Sequence, residues 1–124
     1  MIDFQNASFI KMHEVDKSEY NSLIEPLLIE DEEILWAFKA MRDGVVFTNK
    51  RIISINVQGL TGKKKDFTSL PYKNIQSFSV ETAGLLDLDS ELDLWFSGLG
   101  KVRFEFTREV NVGKISQFIA GKVL

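Results

Sequence analysis

A helical stripe of apolar side chains occurs near the start of the chain. Its members are spaced i, i+3, i+4, i+7 and i+8: Tyr20, Leu23, Ile24, Leu27 and Leu28. Such a stripe is typical of an amphipathic helix that buries one face. Asp16 and Glu19 have capping-box spacing and predict the start of this helix. Pro26 predicts that the helix ends at Glu25 or continues only as a kinked turn, because proline cannot donate to the helical ladder.

Between residues 33 and 106 the period changes to two, and β-branched and aromatic residues dominate. This alternation predicts strands separated by turns rich in Gly, Asn, Asp and Pro. Seven strands are predicted over residues 34–40, 44–48, 51–57, 65–70, 75–82, 91–96 and 101–107. Short strands joined by tight turns favour an antiparallel meander that closes into a small barrel or a sandwich, since either arrangement buries the apolar face.

Helical spacing returns after the last strand. Asn111 is a suitable N-cap, and the apolar positions that follow lie on one helix face: Val112, Ile115, Phe118, Ile119 and Val123. We expect this second helix to cap an open end of the sheet. The predicted fold class is therefore α+β, mainly β, with one domain over residues 16–124. Residues 1–15 form an N-terminal arm to which we assign no structure.

The last hairpin has a predicted register. Its two strands place their apolar side chains on one face each, and these faces must point the same way. A three-residue loop over residues 98–100 sets Leu94 opposite Phe104 and Leu92 opposite Phe106, with Gly100 at a left-handed position.

Composition removes several classes of function. The 124 residues include no cysteine and a single histidine, His13, so we expect no disulfide, no metal site, no cofactor and no Ser-His-Asp chemistry. No apolar run approaches the roughly 20 residues that span a bilayer. The N-terminus carries an early acid, Asp3, and no signal-peptide pattern. We therefore expect a cytoplasmic protein.

Charge is arranged in blocks, although the formal net charge is only −3. Residues 14–33 contain eight acids and one lysine, whereas residues 39–73 contain eight basic residues and two acids. Residues 81–93 contain five acids and no basic residue. Blocks of opposite sign indicate a segmented surface suited to charged partners.

Several short sequences resemble those of a known family. They are Arg42-Asp43, the segments 47–53, 70–75 and 77–82, and Gly84 followed by 86–92. In this order they resemble the bacterial pleckstrin-homology-like (PH-like) domain family, over about residues 16–124. The resemblance implies a PH fold of seven antiparallel strands capped by a C-terminal helix. It also implies a family largely without assigned biochemistry, whose members look like self-associating ring formers, and no catalytic residues.

The sharpest basic cluster is Lys63, Lys64 and Lys65, a candidate contact for anionic headgroups or a partner. The alternative is a solvated loop tip that binds nothing. Three lysines supply only roughly 3 kcal/mol of attraction to an anionic membrane, which would hardly bind a single copy. Lys39 and Arg42 are further candidates. Eukaryotic PH domains that hold phosphoinositides use a long basic loop between their first two strands, whereas this loop is only residues 41–44.

An acidic partner face is predicted where Asp87, Asp89, Glu91 and Asp93 alternate with leucines, since a strand projects alternate side chains from one face. A calcium loop is disfavoured because Leu92 occupies the position that requires glycine. The simpler interpretation is the acidic outer face of a half-buried strand, and these carboxylates could also meet a basic neighbour.

These patterns favour a non-enzymatic PH-like module that associates with itself, as a homo-oligomer or ring, or docks another protein. Basic residues 39–73 would face acidic residues 14–33 or 81–93 of the next copy. The alternative is peripheral membrane binding through the basic loops. We expect no nucleic-acid partner, because the chain lacks a dominant basic face. No catalytic constellation specifies a reaction.

Overall fold

The computed structural model describes residue 4, residues 9–84 and residues 89–124. These residues form two helices, α1 (Ser18–Ile24) and α2 (Val112–Val123), together with two 3-10 turns, Glu25–Leu27 and Tyr72–Asn74. The strands, in chain order, are β1 (His13–Val15), β2 (Ile34–Lys39), β3 (Gly44–Thr48), β4 (Arg51–Gln58), β5 (Lys64–Pro71), β6 (Ile75–Glu81), β7 (Ser90–Phe96) and β8 (Gly100–Phe106).

The strands form two antiparallel sheets, β1-β2-β3-β4-β5 and β6-β7-β8. All seven predicted strands are present, and the sandwich rather than the closed barrel is confirmed. The chain passes from one sheet to the other through the 3-10 turn Tyr72–Asn74. Proline at position 71 favours this break, because its nitrogen cannot donate to a ladder.

One strand was not predicted. β1 comprises only three residues, too few for alternation to be recognised, and it pairs antiparallel with β2. Just before it, the Met12 amide donates to the Glu105 carbonyl of β8 (2.9 Å), and the Met12 carbonyl accepts from the Thr107 amide (2.9 Å). Residues 9–15 therefore connect the two sheets at one corner.

The apolar core has two parts. The larger lies between the sheets and α2 and includes the fully buried Phe38, Phe47, Phe104 and Phe106. The smaller lies between α1 and the other face of the five-stranded sheet: Tyr20, Ile24, Ile34, Ala37, Val46, Ile53 and Ile55. Because β3 contributes to both parts, all five of its residues are buried. Its continuous apolar sequence is therefore the expected one for a strand covered on both faces.

The helix boundaries follow local chemistry. Asp16 accepts a hydrogen bond from the Ser18 amide (2.9 Å), as predicted, whereas Glu19 accepts from Lys39 (3.3 Å). Since Glu19 is held by Lys39, the capping-box prediction was wrong for that residue. α1 ends at Ile24 and continues as a 3-10 turn containing Pro26. Asn111 caps α2 by accepting from the Lys114 amide (3.1 Å).

The predicted register of the last hairpin was wrong by two residues. Leu92 pairs with Phe104 and Leu94 with Val102, while Phe96 pairs with Gly100. A shift of two leaves every side chain on its face, so alternation cannot distinguish the registers. The loop consists of residues 97–99, and Gly100 has a φ of 95°, the left-handed conformation predicted for it.

Candidate functional site

Two loops meet at one end of the sandwich, which we call the loop end: the β2–β3 connection, residues 40–43, and the β4–β5 connection, residues 59–63. Arg42 joins them by donating to the Gly59 carbonyl (2.6 Å). Met41 and Leu60 lie next to this bond, and these two residues are 96% and 107% exposed. The loop end thus presents two apolar side chains among cations.

The predicted basic residues differ in their availability. Lys39 forms an ion pair with Glu19 (3.3 Å), and Lys65 donates to the Gly62 carbonyl (3.0 Å). Arg42 is held by Gly59 as described. Lys63 and Lys64 are exposed, and no ion pair involves them within residues 9–84 and 89–124. These two lysines are therefore the most available for a partner.

The predicted acidic face lies at β7, the central strand of the three-stranded sheet. Arg103 of β8 stands opposite Asp93 and donates to both of its carboxylate oxygens (2.8 and 3.0 Å). Its guanidinium also lies 3.6 Å from Glu91. The basic neighbour of this face is therefore in the same chain. Asp87 lies outside the described residues, and Asp89 immediately precedes the strand.

Carboxylates nevertheless outnumber the arginine on this sheet. Glu81, Glu91 and Glu105 stand opposite one another across β6, β7 and β8. Burial raises the pKa of Glu91, and the negative charges of Glu81 and Asp93 raise it further against the opposing effect of Arg103. Burial and the adjacent Asp89 raise the pKa of Glu105. We call Glu81, Glu91 and Glu105 the acidic row, a surface on which an added cation would relieve repulsion.

A buried ion pair holds the opposite end of the sandwich. The Glu32 side chain is 0% exposed and accepts two hydrogen bonds from Arg51 (both 2.9 Å). It also accepts from the Thr48 hydroxyl (2.7 Å) and the Ile29 amide (3.1 Å). One of these two Arg51 nitrogens, Nη2, also donates to the Leu27 carbonyl (2.6 Å). The pair thereby attaches residues 27–32 to the start of β4.

A cavity of about 520 Å³ opens beside this pair. It lies at the β3–β4 turn, and because β3 runs from one end of the sandwich to the other, it is opposite the loop end. Three lysines surround it, from the β3–β4 turn (Lys50), the 3-10 turn after β5 (Lys73) and the last turn of α2 (Lys122). We call this cavity the lysine pocket. The sequence did not reveal it, because its lysines belong to three distant segments.

Comparison with known proteins identifies the class of this fold. The model of the bacterial PH domain family matches residues 3–123, and the chain belongs to that family. The PH-like fold expected from the sequence is thus confirmed.

Individual relatives agree with this assignment. The uncharacterized protein YjqA of Bacillus subtilis is 49% identical over 96 residues, 76% of this chain and 77% of that protein. A DUF1696-family protein with a pleckstrin-homology domain from Shewanella loihica superposes with a TM-score of 0.80 at 40% identity, covering 93% of this chain and 99% of that one. The pleckstrin homology domain from Shewanella amazonensis gives 0.67 at 44% identity, over 89% and 90%.

Two properties of the described residues bear on function. Neither α1 nor α2 combines the length and the apolar character needed to cross a bilayer. Within residues 9–84 and 89–124, histidine and carboxylate side chains form no group of three suited to a metal ion.

Proposed function

We propose that the domain is a non-enzymatic, cytoplasmic binding module that associates with copies of itself or docks another protein. The observation that carries the proposal is the separation of a basic and an acidic patch on different surfaces of the domain. Exposed Lys63 and Lys64 lie at the loop end, whereas the acidic row crosses the outer face of the three-stranded sheet. Basic residues 39–73 of one copy would face acidic residues 81–93 or 14–33 of the next.

Such a contact is head-to-tail, because the two patches differ. Head-to-tail contacts close into a ring when the rotation between copies permits it, and otherwise continue as a filament. The acidic row favours this partner, since burial and neighbouring carboxylates raise the pKa of Glu91 and Glu105, and an incoming lysine would relieve the repulsion between these carboxylates. The lysines of β5, an edge strand, oppose uncontrolled strand addition while attracting an acidic surface.

Size-exclusion chromatography with light scattering tests the proposal. We expect oligomers at about 50 mM sodium chloride that dissociate towards about 1 M, where the Debye length falls to about 3 Å. K63E/K64E should remain monomeric at low salt. The control R108E/K114E reverses two exposed charges outside residues 39–73 and should assemble like the wild type. Mixing K63E/K64E with E81K should restore some assembly. A wild-type monomer at every salt and protein concentration contradicts the proposal.

A second candidate function is peripheral membrane binding at the loop end. It is favoured by the exposure of Met41 and Leu60 beside Arg42, Lys63 and Lys64. Three lysines contribute roughly 3 kcal/mol at an anionic surface, and insertion of two apolar side chains would add to this attraction. Arg42 would hold the two loops together while they insert.

Co-sedimentation with vesicles tests this second candidate. We expect sedimentation with phosphatidylserine vesicles but not with phosphatidylcholine vesicles. K63A/K64A/K65A should abolish it, and M41S/L60S should weaken it at unchanged charge. R108A/K114A is the control for loss of positive charge elsewhere. Equal sedimentation with both vesicle types contradicts recognition of the anionic headgroup, and no effect of either loop variant contradicts binding at the loop end.

A further inference from the structure

The lysine pocket is built on a fixed framework. The Thr48 hydroxyl accepts from the amides of Lys50 (3.0 Å) and Arg51 (2.9 Å), which sets the β3–β4 turn. The Tyr72 hydroxyl donates to the Thr48 carbonyl (2.6 Å), so the 3-10 turn that carries Lys73 is joined to the turn that carries Lys50. Two of the three lysine-bearing segments therefore have a defined mutual position.

The third segment, the end of α2, is attached through aromatic contacts. The Phe118 ring packs edge-on against Tyr72, with 5.4 Å between centroids. The Lys122 ammonium lies 5.6 Å from the centre of the Phe118 ring, within the range of a cation–π contact. This contact holds Lys122 on the side of α2 that faces the pocket.

The charges around the pocket are not balanced. Arg51 also lines it, but its guanidinium is neutralised by Glu32. The ion pairs found in the described part of the chain include none of Lys50, Lys73 and Lys122. Asn49, another lining residue, contacts the main chain of Asp31 and Glu33. Three exposed ammonium groups therefore surround one cavity.

The volume and the lining of the pocket restrict the kind of ligand that it can bind. Its volume, about 520 Å³, falls within the roughly 300–1,000 Å³ typical of small-molecule sites. The lining also includes Ile29, Pro71 and the ring of Tyr72. An ion as small as inorganic phosphate would leave this apolar part unused. The chemistry of the site therefore fits an anionic group of multiple charge attached to an apolar or planar body.

We propose that the lysine pocket binds a phosphorylated small molecule. Its phosphates would lie among Lys50, Lys73 and Lys122, because lysine ammonium groups bind phosphate as point charges. Its apolar or planar body would pack on Ile29 and Pro71. The site is separate from the loop end, and it adds a ligand to a module for which the proposed function names none. A soluble phosphoester and a phospholipid headgroup offer the same chemistry, and the experiment separates these sources.

Calorimetric titration with ATP, pyrophosphate and adenosine, without metal ions, tests the site. We expect ATP to bind more tightly than pyrophosphate, because only ATP has a planar body, and adenosine not to bind. K50Q/K73Q/K122Q should weaken ATP binding more than tenfold, since three charge-assisted contacts to the phosphates are lost. K63Q/K64Q/K65Q removes the same charge at the loop end and should bind ATP within twofold of the wild type.

A second measurement identifies the source of the phosphate. Vesicles containing phosphatidic acid should sediment the wild type and not K50Q/K73Q/K122Q if the ligand is a headgroup. Binding of ATP without this sedimentation assigns a soluble ligand. The proposal is overturned if neither probe binds, or if K50Q/K73Q/K122Q and K63Q/K64Q/K65Q bind ATP equally. Thermal unfolding midpoints of both variants should match the wild type, so lost binding cannot be assigned to unfolding.

Discussion

Arg51→Met is expected to destabilise the domain by about 3–5 kcal/mol, because it leaves the Glu32 carboxylate buried without a cation. Glu32 has no exposed side-chain surface, so only protein groups solvate its charge in the native domain. A loss of this size is a large part of the free energy of unfolding of a typical domain, which is about 5–15 kcal/mol. Urea unfolding at pH 7 measures it as a lower midpoint with an unchanged slope.

Two further variants define the cause. Lys50→Met removes an adjacent exposed cation and should change the free energy of unfolding by less than about 0.5 kcal/mol. The double variant E32M/R51M should recover part of the loss, since an apolar pair of similar size often substitutes for a buried ion pair. Recovery should be incomplete, because Thr48 and the Ile29 amide lose their acceptor. An Arg51→Met loss below about 1 kcal/mol contradicts this role of the ion pair.

The same pair predicts a dependence on pH. Burial acts to raise the pKa of Glu32, but the hydrogen bonds from Arg51, Thr48 and the Ile29 amide outweigh it and hold the pKa below its usual value. The unfolded chain therefore takes up the proton at higher pH, at about 4.3. The contribution of the Glu32–Arg51 pair to stability is complete above that pH and is lost as the pH falls through the folded-state pKa of Glu32.

Arg51→Met should weaken this dependence at Glu32, because burial is then opposed only by the hydrogen bonds from Thr48 and the Ile29 amide. The stability difference between wild type and variant is expected to be largest near pH 7. It should narrow below about pH 4.3, where protonation removes the buried charge. Urea midpoints measured across this range check the sign, and a difference that widens in acid contradicts the assignment.

The spacing of apolar positions was sufficient to predict most of the fold, and the features that it failed to predict have physical explanations. Alternation located the strands from β2 to β8 because each buries at least one apolar face. It could not choose between a barrel and a sandwich, since both bury that face equally well. It also missed β1, whose three residues include only one apolar side chain, Val15. The contacts that place β1 come from distant strands rather than from its own sequence.

The charges of the residues that face each other across the two strands could have indicated the register of the last hairpin. The predicted register would have set Asp93 opposite Glu105, a like-charged pair. The observed register sets it opposite Arg103. Opposite charges across a strand pair are stabilising and like charges are not. Considering charge together with apolar alternation would therefore have favoured the observed register and revealed the arginine beside the acidic face.

The other elements of the site were beyond sequence reasoning. Glu32 lies within the acidic run of residues 30–33, and nothing in that run indicates which carboxylate is buried. Its partner follows 19 residues later. The lysines of the lysine pocket come from a β-turn, a 3-10 turn and a helix end, so only the folded arrangement brings them together. In contrast, Lys63 and Lys64 are consecutive exposed residues where a loop meets β5, which is why a local cluster was enough to find them.

Phe104→Ala is expected to destabilise the domain by about 3–5 kcal/mol, the range for removing a buried phenyl ring. Phe104 is fully buried, and the centroid of its ring lies 5.3 Å from the ring centroid of Phe9 and 6.1 Å from that of Phe47. It therefore contacts the N-terminal segment, β3 of the five-stranded sheet and, through its own strand, the three-stranded sheet. The cavity left by alanine would open where all three meet.

Urea unfolding measures the loss, and two controls separate its causes. Phe104→Leu keeps most of the apolar volume and should cost less than about 1.5 kcal/mol. Leu60→Ala removes apolar atoms from a fully exposed side chain and should cost less than about 0.5 kcal/mol. Hydrogen exchange of the Met12 amide, which donates to Glu105, should accelerate more in Phe104→Ala than in Leu60→Ala. A Phe104→Ala loss below about 1 kcal/mol would contradict packing of the two sheets and the N-terminal segment around this ring.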